Sequence, residues 1–232
     1  MKTLIIVPVW GRPEITKIWA KGLKWFLTKD FDVLTILSRE DEHFEENMKL
    51  VRRDFNYCFF KNKPLGQKMN AGIEYALETF EFDYIMNLGS DDLIHPSILQ
   101  LFSAFLDEKK PFFGINRVFF YEKSTKKLAM CLPYVWGAGR MISRHIIEVL
   151  RNRGQFLYKE TLQKSLDCNS MDTIQEKLGI KYETIDTGTF PYIVDIKTWD
   201  NLNDFNMMTR MYEIVPTEIL TRYYPKIITE LL

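Results

Sequence analysis

The sequence predicts an α/β protein with a mostly parallel central sheet flanked by helices. Two patterns carry that reading. Through the first half, short apolar runs alternate with segments whose apolar residues recur every three or four positions. The first run, Leu4 to Val9, is apolar nearly throughout, as a strand covered on both faces must be. Composition agrees: 232 residues, 46% of them hydrophobic, with 17 Phe, 11 Tyr and 5 Trp, are ample for a large core and exclude a disordered or fibrous chain.

In chain order, the opening strand gives way at Gly11-Arg12-Pro13 to a helix placed by Ile15, Ile18, Trp19, Gly22, Leu23 and Phe26, with Pro13 at its start. Val33 to Leu37 is a second strand. Phe44, Met48, Val51 and Phe55 repeat the helical spacing, and Tyr57 to Phe60 makes a third strand. Leu65, Met69, Ile73, Ala76, Leu77 and Phe80 mark a third helix, and Tyr84 to Leu88 a fourth strand running into Gly89-Ser90-Asp91-Asp92. A helix starting near Pro96 buries Ile98, Leu101, Phe102 and Phe105. The rhythm changes after Pro111. Phe112–Tyr121 and Leu128–Leu132 flank the polar turn Lys123 to Lys126, which reads as a hairpin. Helices at Ser143–Arg151 and about Ser170–Leu178 follow, then strand-like runs at Ile180–Ile185 and Tyr192–Ile196. The expectation is one domain over 1–232, with a nucleotide-side half (1–110) and an acceptor-side half (111–232) that ends in helices.

Charge and cysteines narrow the function. Thirty-one basic residues balance 31 acidic ones, so no dominant nucleic-acid surface is advertised. Cys58, Cys131 and Cys168 form neither a disulfide framework nor a zinc spacing, which points to a reducing, cytoplasmic setting. Pro8 breaks the N-terminal apolar run before it can act as a leader, and no stretch nears the roughly 20 apolar residues of a transmembrane segment.

In an open parallel sheet, ligands bind beyond the carboxyl ends of the strands. Polar clusters at such ends include Trp10-Gly11-Arg12, Ser38 to Asp41 and Ser90-Asp91-Asp92. The adjacent carboxylates of Asp91 and Asp92 repel unless a cation lies between them, and a hard divalent ion bridging a diphosphate meets that need; the alternative is that one of them caps the helix near Pro96. In Pro64 to Gly72, Gly66 permits close backbone approach, while the helix-start amides, Lys68 and Asn70 suit an anionic phosphate. The alternative makes Lys68 a solvated residue and Gly72 a packing site. Asp195 and Lys197 share one face of a late strand, as a third metal ligand and a phosphate neutraliser or as a plain ion pair. His95, before Pro96, reads as a turn residue. Trp10, Trp136 and Trp199 are stacking candidates, or core.

Taken in order, the opening strand with Pro8, Gly66 to Gly72, Asp91-Asp92, Gly137-Ala-Gly-Arg-Met-Ile-Ser-Arg144 and Ser165-Leu166-Asp167 resemble GT-A fold glycosyltransferases, particularly the large inverting nucleotide-sugar-dependent family (family 2-like), over about residues 1–200. The resemblance implies a Rossmann-like GT-A sheet and a nucleotide-sugar donor, with UDP as the commonest nucleotide. It also implies Mn²⁺ or Mg²⁺ on the aspartate pair, with Asp92 as the ligand candidate; where related enzymes often carry a late metal-ligating histidine, Asp195 is the candidate for the third ligand. Pro8, Trp10, Arg12, Ser38, Glu40, Gly66, Lys68, Asn70 and Asp91 are the donor-side candidates. Trp136, Gly137, Gly139 and Arg140 fall on the acceptor side. Asp167, in a loop before a helix, is implied as the base for the acceptor hydroxyl, with Asp172 in reserve; an N-cap role for Asp167 is the alternative. The usual Asp-x-Asp reads Ser90-Asp91-Asp92 here, Leu166 stands where Glu is common, and no histidine lies near the late strand. The acceptor is a glycan, a small molecule, a protein or a modified DNA base.

Two other classes remain. A nucleotidyltransferase making sugar nucleotides also uses a parallel sheet and Mg²⁺, but Val9 to Pro13 lacks its glycine-rich triphosphate cradle. A catalytically inactive GT-A-like binding module is the non-enzymatic reading, and donor hydrolysis discriminates it. Gly137-Ala138-Gly139 is only a partial dinucleotide fingerprint.

Overall fold

The computed structural model describes residues 1–27, 30–198, 212–227 and 229. The alternation read from the sequence is present. β1 (Thr3–Pro8), α1 (Pro13–Phe26), β2 (Phe31–Leu37), α2 (Phe44–Val51), β3 (Asn56–Phe59), α3 (Leu65–Thr79) and β4 (Tyr84–Asn87) form the first half. They are followed by β5 (Asp92–Ile94), α4 (Ile98–Asp107), β6 (Phe112–Ile115), β7 (Phe119–Glu122), β8 (Lys127–Cys131), β9 (Arg140–Ser143), α5 (Arg144–Asn152), α6 (Leu166–Leu178), β10 (Glu183–Ile185), β11 (Ile193–Lys197), β12 (Tyr212–Val215) and α7 (Glu218–Tyr223).

The larger sheet has seven strands in the order β10-β6-β9-β4-β1-β2-β3. It is parallel except at β9, which runs against both β4 and β6. Side-chain alternation explains why β1 is apolar at consecutive positions. Leu4 and Ile6 enter a core shared with α3 and α5, while Ile5 and Val7 enter the opposite core with Trp19, Leu23 and Phe26 of α1. Gly72 of α3 lets that helix lie on β2, because a Cβ there would sit 2.1 Å from Ile36 Cδ1.

Of a second sheet, β12-β8-β7-β11-β5, the β7–β8 hairpin and the β11 run were foreseen, but not their joining into one sheet. It packs Val118, Phe120, Ala129, Cys131 and Ile193 into the same core as α1, and turns Leu93, Phe119, Val194 and Ile196 toward Ile15, Ile18 and α7. The run 112–121 is therefore not one strand. It breaks at Asn116-Arg117, and its two pieces join different sheets. Two further expectations shift. Asp92 caps no helix but opens strand β5, and α6 begins at Leu166, so Asp167 lies in its first turn with Ser165 at the N-cap position. Trp199 lies outside the described residues. Among the described residues, no helix is long and apolar enough to cross a membrane.

The segment 157–163 lies across the start of α3, where Gly66 N–H donates to Leu162 O (2.8 Å) and Leu65 N–H to Gln163 Oε1 (3.0 Å). A Cβ at Gly66 would meet the Lys159 carbonyl oxygen at 2.3 Å, and backbone cannot yield as a side-chain tip does. Gly66→Ala is expected to lower stability by about 1–3 kcal/mol, read as a reduced urea midpoint at unchanged slope.

Candidate active site

The carboxyl ends of β1 and β4, the β5–β11 pair, residues 136–138 and the start of α6 enclose a cleft of about 270 Å³, the place where open α/β sheets bind ligands. Pro8, Asp91, Asp92, Trp136, Gly137, Asp167 and Asp195 line it together with Asn87, Tyr158 and Lys197.

One wall is acidic. β5 pairs antiparallel with β11 in a register that sets Asp92 opposite Asp195, and Asp91 precedes them in the turn from β4. One oxygen from each of the three carboxylates lies within 4.8 Å of the others. Like charges directly opposite on paired strands are destabilising, so this register is costly by itself. Burial, then the Asp195 and Asp91 charges, push the Asp92 carboxyl well above the usual carboxylate range. Burial pushes Asp195 up to about 6, although Lys197 Nζ donates to its Oδ2 at 2.6 Å. Burial works against the charge on Lys197, but Asp195 and Asp91 outweigh it and raise the ammonium above its ordinary value. Asp195 Oδ1 is buried with no hydrogen-bond partner among the described residues. Three hard oxygen donors within reach of one centre, one of them orphaned, fit a divalent cation.

Gly89, which sequence reasoning passed over, makes room for this wall. Its N–H donates to Asp92 Oδ2 at 2.5 Å, and a Cβ on it would lie 2.4 Å from Asp91 Oδ1. From the β1–α1 turn, Arg12 Nη2 donates to Asp91 Oδ2 at 3.1 Å. Arg12 holds φ +44°, a left-handed conformation uncommon outside glycine, and the preceding Gly11 shares it at +59°. That turn is kept in place by Asp41, whose Oδ2 accepts from Gly11 N–H (2.8 Å) and Asn47 Nδ2 (3.1 Å).

The opposite wall carries Asp167. Its carboxylate lies against Gly137, where a Cβ would fall 1.8 Å from Oδ1. The Asp167 carbonyl accepts from Arg140 Nη1 at 2.7 Å. Arg140 is wholly buried, also donates to Ser170 Oγ, and stacks on Tyr182; it ties β9 to α6 and does not reach the cleft. Gly139, at φ +74°, is packed against Ile193 and likewise lies off the cleft. Asp172 is exposed further along α6 and does not line the cleft.

Several donor-side candidates also fall elsewhere. Lys68 is fully buried, and its Nζ donates to Val9 O (2.8 Å), Ser38 Oγ (2.9 Å) and Asn62 Oδ1 (3.1 Å), clamping the ends of the first three strands instead of facing a phosphate. At the start of α3 the Leu65 and Gly66 amides donate to Gln163 and Leu162, and Gly66 serves that contact. Asn70 exchanges hydrogen bonds with the Tyr158 backbone. Glu40 Oε1 accepts from Asn62 N–H at 2.6 Å, and Trp10 is exposed outside the cleft. His95 is a turn residue as read, with Nδ1 bonded to Ser97 Oγ and its ring among Trp25, Phe190 and Tyr224. Tyr158 was missed, and no periodicity around it marks it.

No protein-family model matches the chain, and no curated protein sequence matches it. Solved structures do. The 1–349 portion of S. aureus TarS in complex with UDP-GlcNAc is 17% identical with a TM-score of 0.57, covering 99% of this chain and 66% of that one. The same portion in complex with UDP is 16% identical at a TM-score of 0.55, over 99% of this chain and 65% of that one. The chain thus spans a little under two thirds of the length of these structures. At such identities the likeness is one of fold, and it supports the GT-A-like fold that the sequence resemblance implied.

Burial lowers the Lys68 pKa to about 7, against the raising influence of Asp41 and Glu40. The unfolded lysine keeps its proton to about 10.4. Between those values the unfolded chain binds more protons than the folded one, so stability should rise as pH increases from about 7 to about 10. Melting temperatures of wild type and Lys68→Met across that window check it: the wild type should gain on the variant with increasing pH.

Proposed function

We propose that the chain is a glycosyltransferase that moves a sugar from a nucleotide-sugar, with UDP as the nucleotide, to an acceptor hydroxyl with inversion. The observation that carries the reading is the Asp91–Asp92–Asp195 cluster at the end of β4, in a cleft whose other wall presents Asp167. The fold shared with structures that hold UDP and UDP-GlcNAc supports the nucleotide.

In this reading Asp91, Asp92 and Asp195 hold Mn²⁺ or Mg²⁺, whose charge, when bound, offsets that of the departing diphosphate. Arg12 and Lys197 flank the cluster and add positive charge from the chain itself. Asp167 takes the proton of the acceptor hydroxyl at its carboxylate as the anomeric carbon is attacked from the face opposite the leaving group. Gly137 keeps that carboxylate in the cleft, and Arg140 fixes the turn of α6 that carries it. One feature favours a metal-free variant: Arg12 and Lys197 already pair with two of the three carboxylates. Full turnover in chelator would select that variant.

Thermal-shift screening of nucleotide-sugars with and without Mn²⁺ tests the donor, and product analysis tests transfer. Asp92→Asn is expected to abolish turnover and weaken metal-dependent donor binding. Asp167→Asn should leave donor binding intact while slowing transfer by about 10²–10⁴-fold. Wild-type turnover in Asp167→Asn contradicts the assignment of the base. Gly137→Ala displaces the same carboxylate and should cost about 10²-fold in turnover at unchanged donor affinity.

A further inference from the structure

Among the residues lining the cleft are two neutral polar side chains that the chemistry above leaves unused. Asn87, at the end of β4, is 7% exposed, and its Oδ1 has no hydrogen-bond partner among the described residues. Its Nδ2 donates to the Tyr158 hydroxyl oxygen at 2.6 Å. Tyr158 is 2% exposed, and its hydroxyl in turn donates to no acceptor among the described residues. Both residues line the cleft.

The pair is held rigidly. Asn70 of α3 donates through Nδ2 to Tyr158 O (2.7 Å) and accepts through Oδ1 from Tyr158 N–H (3.1 Å). The Asn87 carbonyl accepts from Gly139 N–H at 2.8 Å. Asn87 is thereby joined in one direction to the turn carrying Asp91 and Asp92, and in the other to the Gly137–Gly139 loop on which Asp167 packs.

We propose that Asn87 and Tyr158 form a subsite for one ring hydroxyl of the transferred sugar, and so select the donor; the inference rests on the glycosyltransferase reading. A buried orphan acceptor costs about 1–3 kcal/mol unless a ligand satisfies it. A hydroxyl is the group that answers both side chains at once, donating to Asn87 Oδ1 and accepting from Tyr158 Oη–H. The pair carries no charge with which to bind a phosphate, and the carboxylates on either wall repel anions. Burial raises the Tyr158 phenol above its ordinary range, so it stays a donor across the working pH. Sites built to hydrogen-bond a hydroxyl discriminate strongly against analogues lacking it, because the buried partners are then left unpaired.

The test is calorimetric titration, with Mn²⁺ present, of UDP, UDP-glucose, UDP-galactose, UDP-N-acetylglucosamine and their monodeoxy analogues into wild type, Asn87→Leu and Tyr158→Phe. The second variant is nearly isosteric and keeps the backbone clasp from Asn70, so it reports even where the first folds poorly. Wild type should prefer one UDP-sugar over UDP. Both variants should bind UDP as wild type does and lose about 10- to 100-fold for that sugar. One deoxy analogue should bind wild type weakly and be indifferent to both substitutions. An undiminished preference in the variants, or sensitivity to the substitutions that survives in every deoxy analogue, overturns the subsite alone. Failure of the wild type to bind UDP or any UDP-sugar overturns the glycosyltransferase reading and the subsite with it.

Discussion

The organisation of the site depends on one strand pairing, that of β5 with β11. It sets Asp92 against Asp195 and brings Asp91 beside them, in a place where burial already disfavours charge. Such a register would be selected against if its only consequence were repulsion. Lys197 and Arg12 compensate part of it, one from within β11 and one from the β1–α1 turn. The remaining acidic oxygens, including the orphaned Asp195 Oδ1, are a donor set suited to a hard cation.

Much of the rest of the structure holds that wall and the one facing it. Gly89 and Gly137 are each required because a carboxylate occupies the space a side chain would fill. The left-handed turn at Gly11-Arg12 directs a guanidinium at Asp91, and buried Asp41 holds the turn through the Gly11 amide. Lys68 binds together the ends of β1 and β2 and the residue Asn62 beyond β3, so the loops beside the cleft rest on one buried lysine. These are positioning interactions in the interior of the chain. They give Lys68, Asn70 and Glu40, which read as ligand contacts, partners within the chain.

The sheet was legible because β1 and β2, six and seven residues long, and the four-residue β4 are buried nearly throughout and read as continuous apolar runs. The acidic cluster was legible in part: Asp91-Asp92 stood at a strand end, and Asp195 alternated with Lys197 on a short apolar strand. What stayed hidden has physical reasons. β5 and β9 span three and four residues, too few to display any period, and the sequence there looks like a helix cap and a glycine segment. The split of 112–121 between two sheets leaves no mark but Asn116-Arg117. Lys68 looked like a phosphate ligand because two of its three acceptors, Val9 O and Ser38 Oγ, come from distant parts of the chain. Tyr158 has no pattern around it, and its place is set by Asn70, 88 residues earlier.

The central claim is that the three carboxylates share one divalent cation. Counting bound Mn²⁺ by electron paramagnetic resonance in the presence of UDP tests it most directly. Wild type should hold one ion per chain, and Asp92→Ala and Asp195→Ala should each lose it while remaining folded. Equal Mn²⁺ occupancy in wild type and both variants, or none in any of them, would contradict it.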